Sequence, residues 1–163
     1  MKKILLFALL VIAITASAQS SSFKELEKNI RSKIFARDTA LCNSEKISTI
    51  NLYTNGLIAI KSTNPNQDRP DFFNMLKLVT DLIPEANGRG FYREDSTLIF
   101  CTSVDTVTSG EYGKIDYKIE YRVQLTMINI HDSEAAKALE ADFIRLRKIC
   151  LDEEKKTAGR QNH

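Results

Sequence analysis

Between Lys114 and Met127 the chain alternates without a break: Ile115, Tyr117, Ile119, Tyr121, Val123, Leu125 and Met127 fall on one parity, and Lys114, Asp116, Lys118, Glu120, Arg122, Gln124 and Thr126 on the other. A period of two marks an antiparallel strand with one face buried and one in water. Strands usually run about 5–6 residues, whereas this one would span about 46 Å at roughly 3.3 Å per residue. At its end the apolar parity passes from Met127 to Ile128 and Ile130, which predicts a β-bulge and a bend. The stretch TLIFCTSVDTV supplies a partner strand if the turn lies at Ser109 to Tyr112. Val104 then meets Tyr117, Thr102 meets Ile119, Phe100 meets Tyr121 and Leu98 meets Val123. Same-face pairs of this kind contribute roughly 0.2–1 kcal/mol each.

Elsewhere the period changes. Ser22 and Glu25 form a capping box, and Phe23, Leu26, Ile30 and Ile34 follow at helical spacing, so a first helix is expected to about Arg37. ISTINLY (47–53) and LIAIKS (57–62) flank Asn55-Gly56, the pair suited to a type I′ hairpin turn. Neither arm alternates cleanly, which predicts partial cover on both faces. Pro70 with Phe72, Phe73, Met75, Leu76, Val79, Leu82 and Ile83 reads as a central helix ended by Pro84. Gly88-Arg89-Gly90 reads as a turn, and Phe91-Tyr92-Arg93 resumes extended chain. Asp132 or Ser133 caps a last helix with Ala135, Leu139, Phe143, Leu146 and Cys150 on its apolar line. It should reach about Lys155, leaving 157–163 as a polar, disordered tail. The predicted fold is α+β: a single domain over 19–156 with a curved antiparallel sheet of about four to five strands and N-terminal, central and C-terminal helices packed on one face.

Composition changes the picture mainly through the first residues. MKKILLFALLVIAITASAQS combines Lys2 and Lys3, an apolar run from Ile4 to Ile14 and Ala16-Ser17-Ala18, the three parts of a secretory signal. The run is well short of the ~20 residues that span a bilayer, so residues 1–18 are expected to be cleaved and the protein exported to a periplasm or beyond the cell. No lipid-attachment cysteine stands at Gln19, so no membrane anchor is expected after cleavage. Loss of Lys2 and Lys3 takes the 23 Lys and Arg to 21, against 21 Asp and Glu. A neutral chain of about 145 residues gives no electrostatic case for nucleic acid.

Candidate chemistry is sparse. Of the two histidines, His163 is the last residue and His131 stands at a helix entrance beside Asp132 and Glu134, with no nucleophile elbow and no second ordered histidine to accompany them. Gly88-Arg89-Gly90 lacks the lysine of a phosphate loop. No cofactor, no metal site and no catalytic residue is expected. The three cysteines have no CxxC spacing; in an exported chain a Cys42 to Cys101 disulfide is expected, with Cys42 to Cys150 as the alternative. The leading functional expectation is a small non-catalytic binding protein that engages another protein, as an inhibitor or immunity protein does. Its partner face would be Lys114, Asp116, Lys118, Glu120 and Arg122. The alternative is a pocket for a small apolar ligand between sheet and last helix, lined by Phe100, Tyr117, Tyr121, Met127 and Phe143. An enzyme is the minority reading.

Overall fold

The computed structural model describes residues 22–36, 38–66, 70–79, 89–109 and 117–161, with side chains described for 97–103 and 123–129 of the two longest strands. Helix α1 covers 22–35. Then come β1 (Leu41–Cys42), β2 (Glu45–Leu52), β3 (Leu57–Ser62), β4 (Asp71–Asn74), a 3-10 turn (Met75–Lys77), β5 (Phe91–Glu94), β6 (Thr97–Ser109), β7 (Tyr117–Asn129) and α2 (Ser133–Gln161). The seven strands form one antiparallel sheet in the order β4-β3-β2-β1-β7-β6-β5. Two meanders, β1 to β4 and β5 to β7, thus meet where the first strand lies beside the last. That junction is short: Leu41 and Cys42 pair with Lys46 and Glu45 on one side and with Asn129 and Ile128 on the other. The class is α+β as expected, with seven strands among the described residues instead of four to five.

Over the described residues 70–79 the expected central helix is absent. Asp71–Asn74 is an edge strand in which Phe73 faces Ile58 and Phe72 faces Ala59. Phe73 is buried and Phe72 exposed, the alternation of a half-covered strand. Pro70, taken as a helix start, instead precedes an edge strand, another position where a missing amide costs no ladder bond. Asn74 then turns the chain, its side-chain Oδ1 accepting from the Leu76 amide at 2.8 Å. Only Met75–Lys77 closes a helical turn, of 3-10 form. The predicted residues Leu82 and Ile83 lie outside the described residues.

Asn55-Gly56 does mark a hairpin, but of another type. Among the turn residues only Gly56 has positive φ, +81°, and its amide donates to the Tyr53 carbonyl at 3.0 Å. That is a type I turn closed by a left-handed glycine. A Cβ at Gly56 would lie 2.7 Å from Asn74 Oδ1, so glycine is required for space as well as for φ. The imperfect alternation of ISTINLY also has a local cause. The β2–β3 register shifts between Ile47 and Thr49, and Ser48 is the extra residue, donating to the carbonyls of Lys61 at 2.9 Å and Ser62 at 3.0 Å. The bulge lets Ile47 and Ile50, three apart, both face inward.

The sheet curls until its distant strands touch. Phe73 of edge strand β4 meets Phe100 of β6 with ring centroids 4.8 Å apart, and Leu78 forms an isolated bridge to Thr102. Ile50, Ile58, Ile60, Leu98 and Ile128 line the concave side, where Leu139, Phe143, Leu146 and Cys150 of α2 join the same core. Ala136, not Ala135, begins the fully buried line of α2. Asp132 is its cap, with Oδ1 accepting from the Ala135 amide at 2.9 Å. The helix continues to Gln161, so residues 157–161, expected as tail, are helical. Lys156 paired with Glu153 at 3.1 Å and the Thr157 hydroxyl donating to the Glu153 carbonyl support that extension.

The largest correction concerns β6 and β7. They pair continuously from Thr97↔Asn129 to Ser109↔Tyr117, five residues away from the expected register and with no bulge at Met127. Phe100 therefore faces Thr126 and Leu98 faces Ile128. An odd slip exchanges the two faces of a strand. Thr126 and Ile128 are fully buried, whereas Val123, Leu125 and Met127, expected in the core, are 49%, 53% and 42% exposed.

Candidate functional site

The exposed residues of β7 form an apolar stripe on the convex side of the sheet. Rows across the strands are Tyr92, Ile99 and Met127; then Cys101 and Leu125; then Ser103 and Val123. Ile99 and Cys101 are buried yet stand apart from the main core cluster, as expected for side chains on the opposite face to Leu98 and Phe100. The stripe runs beside an edge that is largely unpaired among the described residues. β1 pairs with β7 only at Ile128 and Asn129, and Asn43 covers Met127, its amide donating to the Met127 carbonyl at 2.9 Å and its Oδ1 accepting from the Met127 amide at 3.0 Å. From Tyr117 to Thr126, among the described residues, β7 pairs with β6 alone. An unpaired edge next to an exposed apolar face is a template for another chain.

The candidate pocket residues separate. Phe100 and Phe143 meet edge to face at 5.0 Å, Phe91 stacks on Phe100 at 5.2 Å, and together with Phe73 they occupy the space between sheet and α2. Met127 is on the opposite face. Tyr117 and Tyr121 stand opposite Ser109 and Asp105 in the ladder; their side chains lie outside the described residues. Of the candidate partner face, Lys118, Glu120 and Arg122 stand opposite Thr108, Thr106 and Val104, with side chains likewise outside the description. Lys114 and Asp116 lie outside the described residues. Of the described residues that share this parity, Thr126 and Ile128 are fully buried and Gln124 is half-buried.

The three thiols are free and buried. Cys42 shares a cross-strand row with Ile128 and Leu98 on the core face, while Cys101 lies three positions along β6 on the other face. Two strand spacings and three residues put their Cα atoms about 14 Å apart, twice what a disulfide spans. Cys150 approaches the Tyr53 carbonyl at 3.9 Å, at the far end of β2 from Cys42, which pairs with Glu45, and a strand of that length spans roughly 25 Å. Neither expected bond can close in this fold. Burial, then the charges of Asp71 and Glu45, pushes the Cys42 thiol up to about 12, and burial pushes Cys150 up to about 11. Burial also raises Cys101. Iodoacetamide at pH 8 should therefore label no cysteine in the folded protein and all three in denaturant; fast native labelling at any one would contradict this packing. The fold retains the Cys42 proton above the ordinary thiol value of 9.0, so stability should decline as pH rises from 9 toward 12.

His131 is exposed at positive φ, +55°, its amide bonded to Asn129 Oδ1 at 2.8 Å. Among the described residues no three of His, Cys, Asp or Glu gather where they could hold a metal, and no helix is long and apolar enough to cross a membrane. Comparison with family models, curated proteins and solved structures found no match to the chain.

Proposed function

We propose that this chain is an exported, non-catalytic binding protein of inhibitor or immunity type, and that it takes an extended segment of another protein along the free edge of β7 and across Val123, Leu125 and Met127. The observation that carries the reading is that stripe: three large apolar side chains exposed in a row, 49%, 53% and 42%, on a strand whose second edge is unpaired from Tyr117 to Thr126 among the described residues. Strand addition would satisfy the edge amides and carbonyls, while alternate side chains of the partner covered the stripe. Export rests on the basic, apolar and small-residue pattern of residues 1–18. The absence of a catalytic role rests on the sequence, in which no nucleophile elbow and no second ordered histidine accompany His131, Asp132 and Glu134.

The test is Leu125→Glu in the exported protein. Its side chain is outside the core, so stability should change by no more than ~0.5 kcal/mol. Co-purification of a partner identified by cross-linking from position 125 should be lost in L125E and retained in a variant of exposed Lys137 on α2. Recovery of monomer alone from the native compartment, or equal recovery with L125E, would remove the stripe as the contact.

A further inference from the structure

A second feature lies on the other side of the molecule and does not depend on the β7 stripe. The later turns of α2 cross the start of β5 and leave a cleft of about 340 Å³, at the small end of the ~300–1,000 Å³ typical of ligand pockets. Its apolar part is Phe91, Ile144 and Leu151; Phe91 is buried, while Ile144 is 40% exposed. Its charged part is Arg89, Arg147, Lys148 and Lys155, against the single acid Asp152.

Among the described residues most of this charge is not matched by carboxylates. Arg89 pairs with Glu140 at 3.3 Å, but Glu140 is shared with Arg93 at 3.4 Å. Among the described residues no carboxylate lies within salt-bridge reach of Arg147, Lys148 or Lys155. Arg147 is the most confined. Its Nη1 donates to the Arg89 carbonyl at 2.8 Å, while its Nε is enclosed with no acceptor. Burial depresses its pKa, yet a guanidinium stays charged at any ordinary pH. Basic residues toward a helix C-terminus complement the helix dipole, which accounts for exposed lysines. It does not account for an arginine held half-buried against a carbonyl on the wall of an apolar cleft, where a guanidinium is costly to keep without a counter-charge.

We infer that this cleft binds a small amphipathic carboxylate, its charged end paired with Arg147 and Arg89 and its apolar end on Phe91, Ile144 and Leu151. Carboxylate matches the planar guanidinium donors, and the apolar wall favours a ligand with a hydrocarbon part over a bare anion. The charge excess favours the carboxylate over the alcohol of the same chain.

The experiment is calorimetric titration of the full mature chain with decanoate, decan-1-ol and sulfate in parallel. Decanoate should bind saturably, one per chain, with decanol and sulfate each weaker by about tenfold or more. Arg147→Gln should weaken decanoate by at least about tenfold. Because R147Q also loses the bond to the Arg89 carbonyl, Ile144→Glu serves as a second variant: Ile144 is exposed, so the fold should persist while decanoate binding is lost. No saturable decanoate binding, decanol binding as tightly, sulfate binding as tightly, or unchanged affinity in folded I144E would each overturn the assignment.

Discussion

Replacing Phe100 with alanine should remove about 3–5 kcal/mol of stability, measured by urea denaturation, whereas Leu125→Ala should stay within ~0.5 kcal/mol. The contrast follows from the register of β6 and β7. Phe100 is fully buried and touches rings from three directions: Phe73 from the far edge of the sheet at 4.8 Å, Phe91 from β5 at 5.2 Å and Phe143 from α2 at 5.0 Å. Its removal empties the point where the curl of the sheet and the last helix meet, and three neighbouring rings cannot all collapse into the gap. Leu125 stands opposite Cys101 on the convex side and is 53% exposed. Had the apolar parity of β7 faced the helices, Leu125→Ala would cost about 2–5 kcal/mol. A loss of that size at Leu125 would therefore overturn the register and with it the proposed contact face.

The elements set by local chemistry were legible in the residues. Phe23, Leu26, Ile30 and Ile34 placed α1, Asp132 and the spacing from Leu139 to Cys150 placed α2, and Asn55-Gly56 located the first hairpin. Elements set by pairing were not. Phe72 and Phe73 fit a helix stripe as well as a strand, and β3, which supplies the ladder on which Asp71–Asn74 sits, lies about ten residues upstream. The β7 stripe was visible as a pattern but assigned to the wrong side. One signal was available: Ile130 stands two residues before the cap of α2 and so faces the core that α2 closes. Counting back by twos reaches Ile128 and Thr126, the inward parity, and leaves Met127, Leu125 and Val123 outside. A bulge at Met127 would let both runs face inward, but the ladder is continuous there and only one parity can. The bulge that does exist, at Ser48, came disguised as loss of alternation. The cationic cleft had no local signature, because Arg89 and Arg147 come together only when α2 packs on β5.

Lys33→Met should cost about 3 kcal/mol, through the carboxylate it leaves behind. Asp142 projects from the buried side of α2 with its side chain 5% exposed, and Lys33 of α1, 30% exposed, is its ion-pair partner. The same ammonium donates to the Ala138 carbonyl at 3.3 Å, so one lysine holds α1 against two adjacent turns of α2. Taking both charges out of water is expensive, and a pair of this kind contributes little net stability against an apolar pair. Removing the cation alone is different, because the carboxylate stays dehydrated and unmatched. The double variant Lys33→Met with Asp142→Leu should accordingly recover most of the loss, since neither charge then remains to be buried. Amide exchange separates this from a general loss of packing: K33M should expose the amides of α1 well before those of β6 and β7, because the core of the sheet is untouched. If K33M were as stable as the parent, or if the double variant were less stable than K33M, the pair would not be what fastens the first helix to the last.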